Sequence, residues 1–145
     1  MTPHGREFAM AMPQGRFRVV KTDAEWKRSL PPLSYEILRH EATERPFSNA
    51  LNNEHRRGTF YCLGCKWPLY SSKDKFDSGT GWPSFTRPIN AQAVGYLKDT
   101  SLFMVRTAVY CASCGGHLGH VFDDGPPPTG KRYCMNGAAM LFQPA

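Results

Sequence analysis

Five cysteines mark where this sequence can do chemistry, and their spacing divides them. Cys62 and Cys65 form one C-x-x-C pair, Cys111 and Cys114 form another, and Cys134 is left without a near neighbour of its kind. The stretch CGGHLGHVFDDGPPPTGKRYCMNG, residues 114–137, surrounds that lone thiol with His117, His120, Asp123, Asp124, Arg132 and Asn136. A cysteine attacks as its thiolate, and a nearby cation lowers the thiol pKa from about 8.5. If KRYCMN is a strand, Arg132, Cys134 and Asn136 fall on one face, because side chains alternate across a sheet. His117 and His120 are three apart, so they share a face only where the backbone bends, as a β-bulge near Gly119 would make it do. The joint pattern suggests a nucleophile. Taken singly, a lone cysteine is commonly a small buried hydrophobe and a lone histidine a hydrogen-bonded structural residue. Spacing alone does not name a substrate.

The paired cysteines suggest a metal. FYCLGC at 60–65 and VYCASC at 109–114 are a weak internal repeat, each placing C-x-x-C after a strand that ends in Tyr. A tight turn there aims two thiolates at one ion, and two such knuckles complete a tetrahedral four-cysteine zinc site with Zn–S distances of about 2.3 Å. Two disulfides or a redox C-x-x-C are the alternatives. The first 20 residues lack the apolar core of a secretory signal, so a reducing cytoplasmic setting is expected, which disfavours disulfides. A thioredoxin-like motif wants a βαβ context, which the sequence does not offer. Four thiolates would leave both histidines available for other work. Gly125 to Lys131 matches the start of a phosphate-binding loop, but Arg132 stands where Ser or Thr is needed and Pro126, Pro127 and Pro128 lack backbone donors. A stiff turn is expected instead.

These residues need a scaffold, and 145 residues are enough for one domain with one core. A hydrophobic content of 41% with 12% aromatics is that of a folded protein. The net charge of +6 is spread evenly, with ten Lys/Arg against seven Asp/Glu in residues 1–58 and eight against five in 59–145, so no nucleic-acid-binding stripe stands out. No apolar run reaches the 18 residues of a membrane span. Residues 1–20 read as a flexible extension and 21–145 as the domain. Thr22 and Glu25 form a capping-box pattern for a helix over 22–30, ended by Pro31 and Pro32, with Trp26 and Leu30 on its apolar face. A second helix, 33–40, presents Leu33, Ile37 and Leu38 to the same core, and 41–57 read as loop. Strands are expected at 58–62, 67–71, 93–98, 101–110, 118–122, 132–135 and 139–143. The clearest is 101–110, where Phe103, Val105, Thr107 and Val109 alternate with their neighbours. The fold class expected is mainly β with antiparallel sheets and short N-terminal helices.

At this point the sequence resembles a known family. SGTGWPSF at 78–85, RTAV at 106–109, HLGHVFDDGPPPTGKRYCMN at 117–136 and both C-x-x-C pairs are similar to methionine sulfoxide reductase B, over roughly residues 24–143 with EWKRSL, YEILR and ERPFS near the start. The resemblance implies two antiparallel sheets, one structural zinc on Cys62, Cys65, Cys111 and Cys114, and reduction of the R epimer of methionine sulfoxide in oxidised proteins or peptides. Cys134 aligns with the family's catalytic cysteine, which attacks the sulfoxide sulfur and is left as a sulfenic acid. His117 or His120 would supply protons, Arg132 would favour the thiolate, Asn136 would place groups by hydrogen bonding, and Asp124 would fix Arg132 or a histidine. Trp82 and Phe122 would hold the substrate's S-methyl group. Thr80 departs from the pattern, since many members carry a resolving cysteine there. Recycling is therefore expected from an external thiol, either thioredoxin or a small thiol such as glutathione. Lys66 and Ala108 are smaller departures, bearing on the zinc knuckle and on a local hydrogen bond.

Overall fold

The N-terminal helices form where the caps demand. In the computed structural model, which describes residues 17–145, helix α1 spans Asp23–Ser29 and helix α2 spans Pro32–His40. Thr22 accepts the Glu25 N–H while Glu25 takes the Thr22 N–H, so the expected capping box is complete. Trp26 and Leu30 are buried as expected, and α2 turns Tyr35, Ile37 and Leu38 inward. Leu33 does not follow them. It is 49% exposed, because the face of α2 that meets the core is set by 34, 35, 37 and 38, and residue 33 lies outside that stripe.

From Gly58 onward the chain is β. Strands β1 (Gly58–Cys62), β2 (Pro68–Ser71) and β9 (Met140–Pro144) make a three-stranded antiparallel sheet in the order β2-β1-β9. A six-stranded antiparallel sheet has the order β3-β4-β8-β7-β6-β5, from β3 (Lys75–Phe76), β4 (Ser84–Phe85), β5 (Val94–Asp99), β6 (Arg106–Cys111), β7 (His117–Phe122) and β8 (Arg132–Met135). The two sheets meet through aromatic side chains. Tyr70 of the smaller sheet stacks on Phe85 of the larger at 4.3 Å, and Phe60 meets the same ring edge-on at 5.0 Å. Leu69, Val109, Leu118 and Met135 complete this core, each large apolar side chain contributing about 1.5–3 kcal/mol by leaving water.

The strand expected over 101–110 is shorter than its alternation suggests. Asp99 of β5 pairs with Arg106 of β6, so residues 100–105 form the connection between them. Leu102 and Phe103 both take positive φ, which no strand accommodates. The two-residue strands β3 and β4 were not expected, being too short to show a period.

Residues 1–16 of the expected extension lie outside the described residues. Residues 17–19 pack against the cysteine knuckles. The Val19 N–H donates to Ser113 O at 3.1 Å, Arg18 lies over the Trp67 ring at 4.6 Å, and Phe17 meets Tyr110 edge-on.

Candidate active site and metal centre

Each C-x-x-C occupies a tight turn at the end of a strand, the first after β1 and the second after β6. In the first, the Lys66 N–H donates to Cys62 O at 2.8 Å; in the second, the Gly115 N–H donates to Cys111 O at 2.8 Å. Both turns need a left-handed residue after the second cysteine, supplied by Lys66 at φ 66° and Gly115 at φ 77°. Lys66 accepts that backbone and its ammonium bonds Leu63 O at 2.8 Å, so the departure noted in the sequence leaves the turn closed.

The two turns bring all four sulfurs within 4.8 Å of one another. Cys62 and Cys114 sulfurs are 3.8 Å apart, and those of Cys65 and Cys111 are 3.5 Å apart. A tetrahedral zinc with Zn–S of about 2.3 Å requires S–S edges of about 3.8 Å, whereas a disulfide requires about 2.05 Å. The Gly116 N–H points at the Cys114 sulfur at 3.4 Å, a bond that suits thiolate character. The donor set and its spacing fit a zinc site.

The lone thiol sits in a different neighbourhood. Cys134 lies on β8 directly opposite His120 of β7 on one side and Ser84 of β4 on the other. Arg132 is on the same face. Its guanidinium grips Asp124 with two bonds, 2.9 and 3.1 Å, and lies over the Phe122 ring at 4.4 Å. Of the two partners foreseen for Asp124, the arginine is the one it holds. The cation had been expected to lower the pKa of Cys134, but the net shift is upward. Burial is the largest cause, opposed by the charge of Arg132 and by hydrogen bonds from Thr80 and Arg132. Thr80 belongs to a chain of hydroxyls that links it to Ser78 at 2.8 Å and Ser78 to Ser84 at 2.7 Å.

The two histidines do share a face, and a bulge is the reason. Val109 pairs with Gly119 but Tyr110 pairs with His117, so Leu118 is the extra residue, one position before the bend expected at Gly119. The rings of His117 and His120 stand 5.3 Å apart, edge to face. Asn136 braces the bulge, since its backbone N–H and its side-chain amide both donate to Leu118 O, at 2.9 and 3.0 Å. Strand β8 ends at Met135, so Asn136 turns inward and the half-buried row is Arg132 and Cys134. Gly119 has no alternative, because a Cβ there would lie 2.1 Å from Cys134 O.

Two residues that the sequence did not single out, Asp99 and Glu44, hold the site together. Asp99 bonds His120 Nε2 at 2.8 Å and accepts Arg106 at 3.2 Å, while the Ser101 N–H donates to its other oxygen at 2.9 Å. The His120 pKa is lowered overall, by burial first and by the charge of Arg106, with Asp99 opposing the shift only in part. Glu44 is only 2% exposed. Its carboxylate accepts the Gly137 and Ala138 N–H groups at 2.9 and 2.8 Å, its backbone N–H donates to Asn136 Oδ1 at 3.0 Å, and its carbonyl accepts the Trp82 indole N–H at 3.0 Å. One residue from the loop at 41–57 therefore fixes both Asn136 and Trp82. Ala108 lies opposite His120, where its small side chain leaves the imidazole room.

A SelR domain matches residues 30–144 of the chain. Among similar proteins, the peptide methionine sulfoxide reductase MsrB of Bradyrhizobium diazoefficiens is 53% identical over 127 residues, 88% of this chain and 91% of that protein. The MsrB of Agrobacterium fabrum is 51% identical over 127 residues, covering 88% and 94%. That of Thiobacillus denitrificans is 54% identical over 124 residues, covering 86% and 94%.

Proposed function

Because the chain belongs to the methionine sulfoxide reductase B family, we propose that it reduces methionine-R-sulfoxide in oxidised proteins and peptides, with Cys134 as nucleophile. The observation that carries this reading is the row of groups around Cys134. A histidine lies opposite it, an arginine held by Asp124 shares its face, and the Thr80 hydroxyl helps to lower its pKa.

In the reaction the thiolate attacks the sulfoxide sulfur, forming a sulfur–sulfur bond, while the oxygen takes one proton from His120. The oxygen then passes to the Cys134 sulfur as the new sulfur–sulfur bond and the original sulfur–oxygen bond break, so Cys134 is oxidised by two electrons to a sulfenic acid and the substrate is reduced to methionine. His120 is the better placed donor, since Asp99 stabilises its protonated form and β-pairing sets it beside Cys134. His117 lies behind it in the core as a positioning residue. Trp82, anchored through its indole N–H to Glu44, and Phe122 flank the site as apolar walls for the S-methyl group. Burial raises the Cys134 pKa, so Arg132 and Thr80, which lower it, supply stabilisation that the attacking thiolate needs.

Thr80 replaces any resolving thiol, and the four other cysteines are committed to a metal. The sulfenic acid therefore passes to an external thiol. One thiol condenses with it to a mixed disulfide and water, and a second releases Cys134; thioredoxin or glutathione can fill either part. We infer that the metal is one structural zinc. Cys62, Cys65, Cys111 and Cys114 would hold it, and the bound ion would tie the end of β1 to the end of β6. Among the described residues no helix is long and apolar enough to cross a membrane, and the free thiols suit a reducing cytoplasm.

The test is turnover of a racemic methionine sulfoxide peptide with dithiothreitol, followed by chiral separation. Consumption of half the substrate, all of it R epimer, is expected. Consumption of both epimers, or of neither by zinc-loaded protein, would overturn the assignment.

A further inference from the structure

The connection from β5 to β6 carries four successive large apolar side chains into water. Leu102 is 69% exposed, Phe103 106%, Met104 51% and Val105 73%. Soluble enzymes seldom leave so many adjacent apolar groups uncovered without a partner for them. The backbone adds a second oddity. Leu102 and Phe103 take φ of 58° and 57°, a conformation that costs bulky residues energy and that glycine would adopt freely.

This tip is fastened to the reaction centre. Asp99 at its start accepts the Ser101 N–H and bonds His120; Arg106 at its end bonds the same carboxylate. Cys134 faces His120, His120 faces Ala108, and Arg106 is two residues further along the same strand. With strands about 4.8 Å apart, the tip begins within about 15 Å of the thiol. An extended peptide covers that in about four or five residues. Lys98, Asp99 and Arg106 give the apolar tip a polar border, the usual make-up of a recognition patch.

We propose that Leu102–Val105 is a docking surface for the polypeptide flanking the oxidised methionine, taking apolar residues about four positions from the sulfoxide. Methionine is itself an apolar residue, so segments carrying it supply such neighbours once oxidation or unfolding exposes them. The proposal rests on the reductase reading above, and it predicts a preference for apolar-flanked peptides over isolated methionine sulfoxide.

The experiment compares zinc-loaded wild-type protein with two double variants. L102G/F103G removes apolar area while keeping the positive-φ backbone, and M104S/V105S does so where φ is unstrained. Single-turnover rates are measured on N-acetyl-methionine-R-sulfoxide amide and on a nonapeptide with central methionine-R-sulfoxide among leucines and valines. Affinity for the same fluorescently labelled nonapeptide is measured by anisotropy.

For the nonapeptide, both variants are expected to lose about tenfold in rate per unit concentration and in affinity, the scale of one apolar side chain left unburied. The small substrate should change less than twofold. Unchanged peptide kinetics and binding would overturn the proposal. So would an equal loss on both substrates, which would mean that the tip acts only through Asp99 and His120. A loss confined to thioredoxin-driven multiple turnover would assign the tip to the reductant, and a wild-type dimer abolished in both variants would assign it to a second copy; either overturns the proposal. If wild-type protein reduces neither substrate, the reductase reading fails, while weakened anisotropy binding in the variants would still uphold the surface.

Discussion

The metal centre and the reaction centre are both built on cysteine, and the protein treats the two kinds of thiol in opposite ways. Cys62, Cys65, Cys111 and Cys114 cluster with one another, at sulfur separations that suit a shared cation. Cys134 faces no other thiol; it has a hydroxyl, a guanidinium and an imidazole for neighbours. The two kinds of thiol are therefore told apart by the company each sulfur keeps. The metal centre is local geometry repeated, two turns of the same make. The reaction centre is tertiary, assembled from β4, β7, β8, the loop bearing Glu44 and the start of the β5–β6 connection.

If that division holds, damage to each centre should leave the other's signature intact or destroy the fold outright. The largest effect is expected from Cys114→Ser, which removes one of four ligands from a centre joining distant strands. Zinc content by metal analysis should fall to near zero and the cooperative thermal transition should be lost, since such sites supply roughly 10 kcal/mol or more of apparent binding energy. Retention of an unchanged transition without zinc would show that the cluster is not structural.

Asp99→Asn comes next. Asp99 raises the His120 pKa against burial and Arg106, which lower it. Without the carboxylate only the lowering causes remain, so less His120 is protonated at neutral pH and the proton donor weakens. A fall of about 10- to 100-fold in kcat is expected at pH 7, narrowing as the pH is taken toward 5.5, with unchanged zinc content. A pH-independent deficit would mean that Asp99 holds the β5–β6 connection but does not tune the histidine.

Arg132→Met should act on the thiol itself. Arg132 lowers a Cys134 pKa that burial raises, so its loss moves the midpoint of alkylation to still higher pH. The iodoacetamide rate at Cys134, read by peptide mass at pH 8, should drop about three- to tenfold. A midpoint moving down would contradict the assigned role of the cation.

The smallest effect compares the two knuckles directly. Lys66→Gly relaxes a left-handed residue and should stabilise the protein by about 0.5–1 kcal/mol. Gly115→Ala does the reverse and sets a Cβ 2.7 Å from the Phe17 ring, so it should destabilise by more than about 1 kcal/mol. Denaturant midpoints measured with zinc present read both.

The same contrast explains which parts were legible in the sequence. The knuckles and the capping box are short-range devices, so spacing alone exposed C-x-x-C and Thr22/Glu25. The bulge that unites His117 and His120 could be inferred because three-residue spacing on a strand demands one, though its position at Leu118 depends on Asn136, eighteen residues away. Glu44 and Asp99 left no such trace. Glu44 reaches partners more than 90 residues distant, and Asp99 reaches His120 across two strand pairings. Alternation misled at 101–105, where exposed apolar residues continued a period of two that the backbone abandons at Leu102. Leu33 was assigned to the core on residue type, yet the stripe of α2 that meets the core passes it by.

The central claim is that the lone thiol, not the four-cysteine cluster, carries the chemistry and has no internal thiol to resolve it. Its most direct measurement is a single turnover of methionine-R-sulfoxide peptide by zinc-loaded protein without reductant, read by intact mass with a sulfenic-acid trap, beside Cys134→Ser. One methionine formed per protein, one trapped adduct mapped to Cys134, zinc retained and no reaction in the variant are predicted. A product two hydrogens lighter, with a disulfide between Cys134 and a knuckle cysteine and zinc released, would contradict the account.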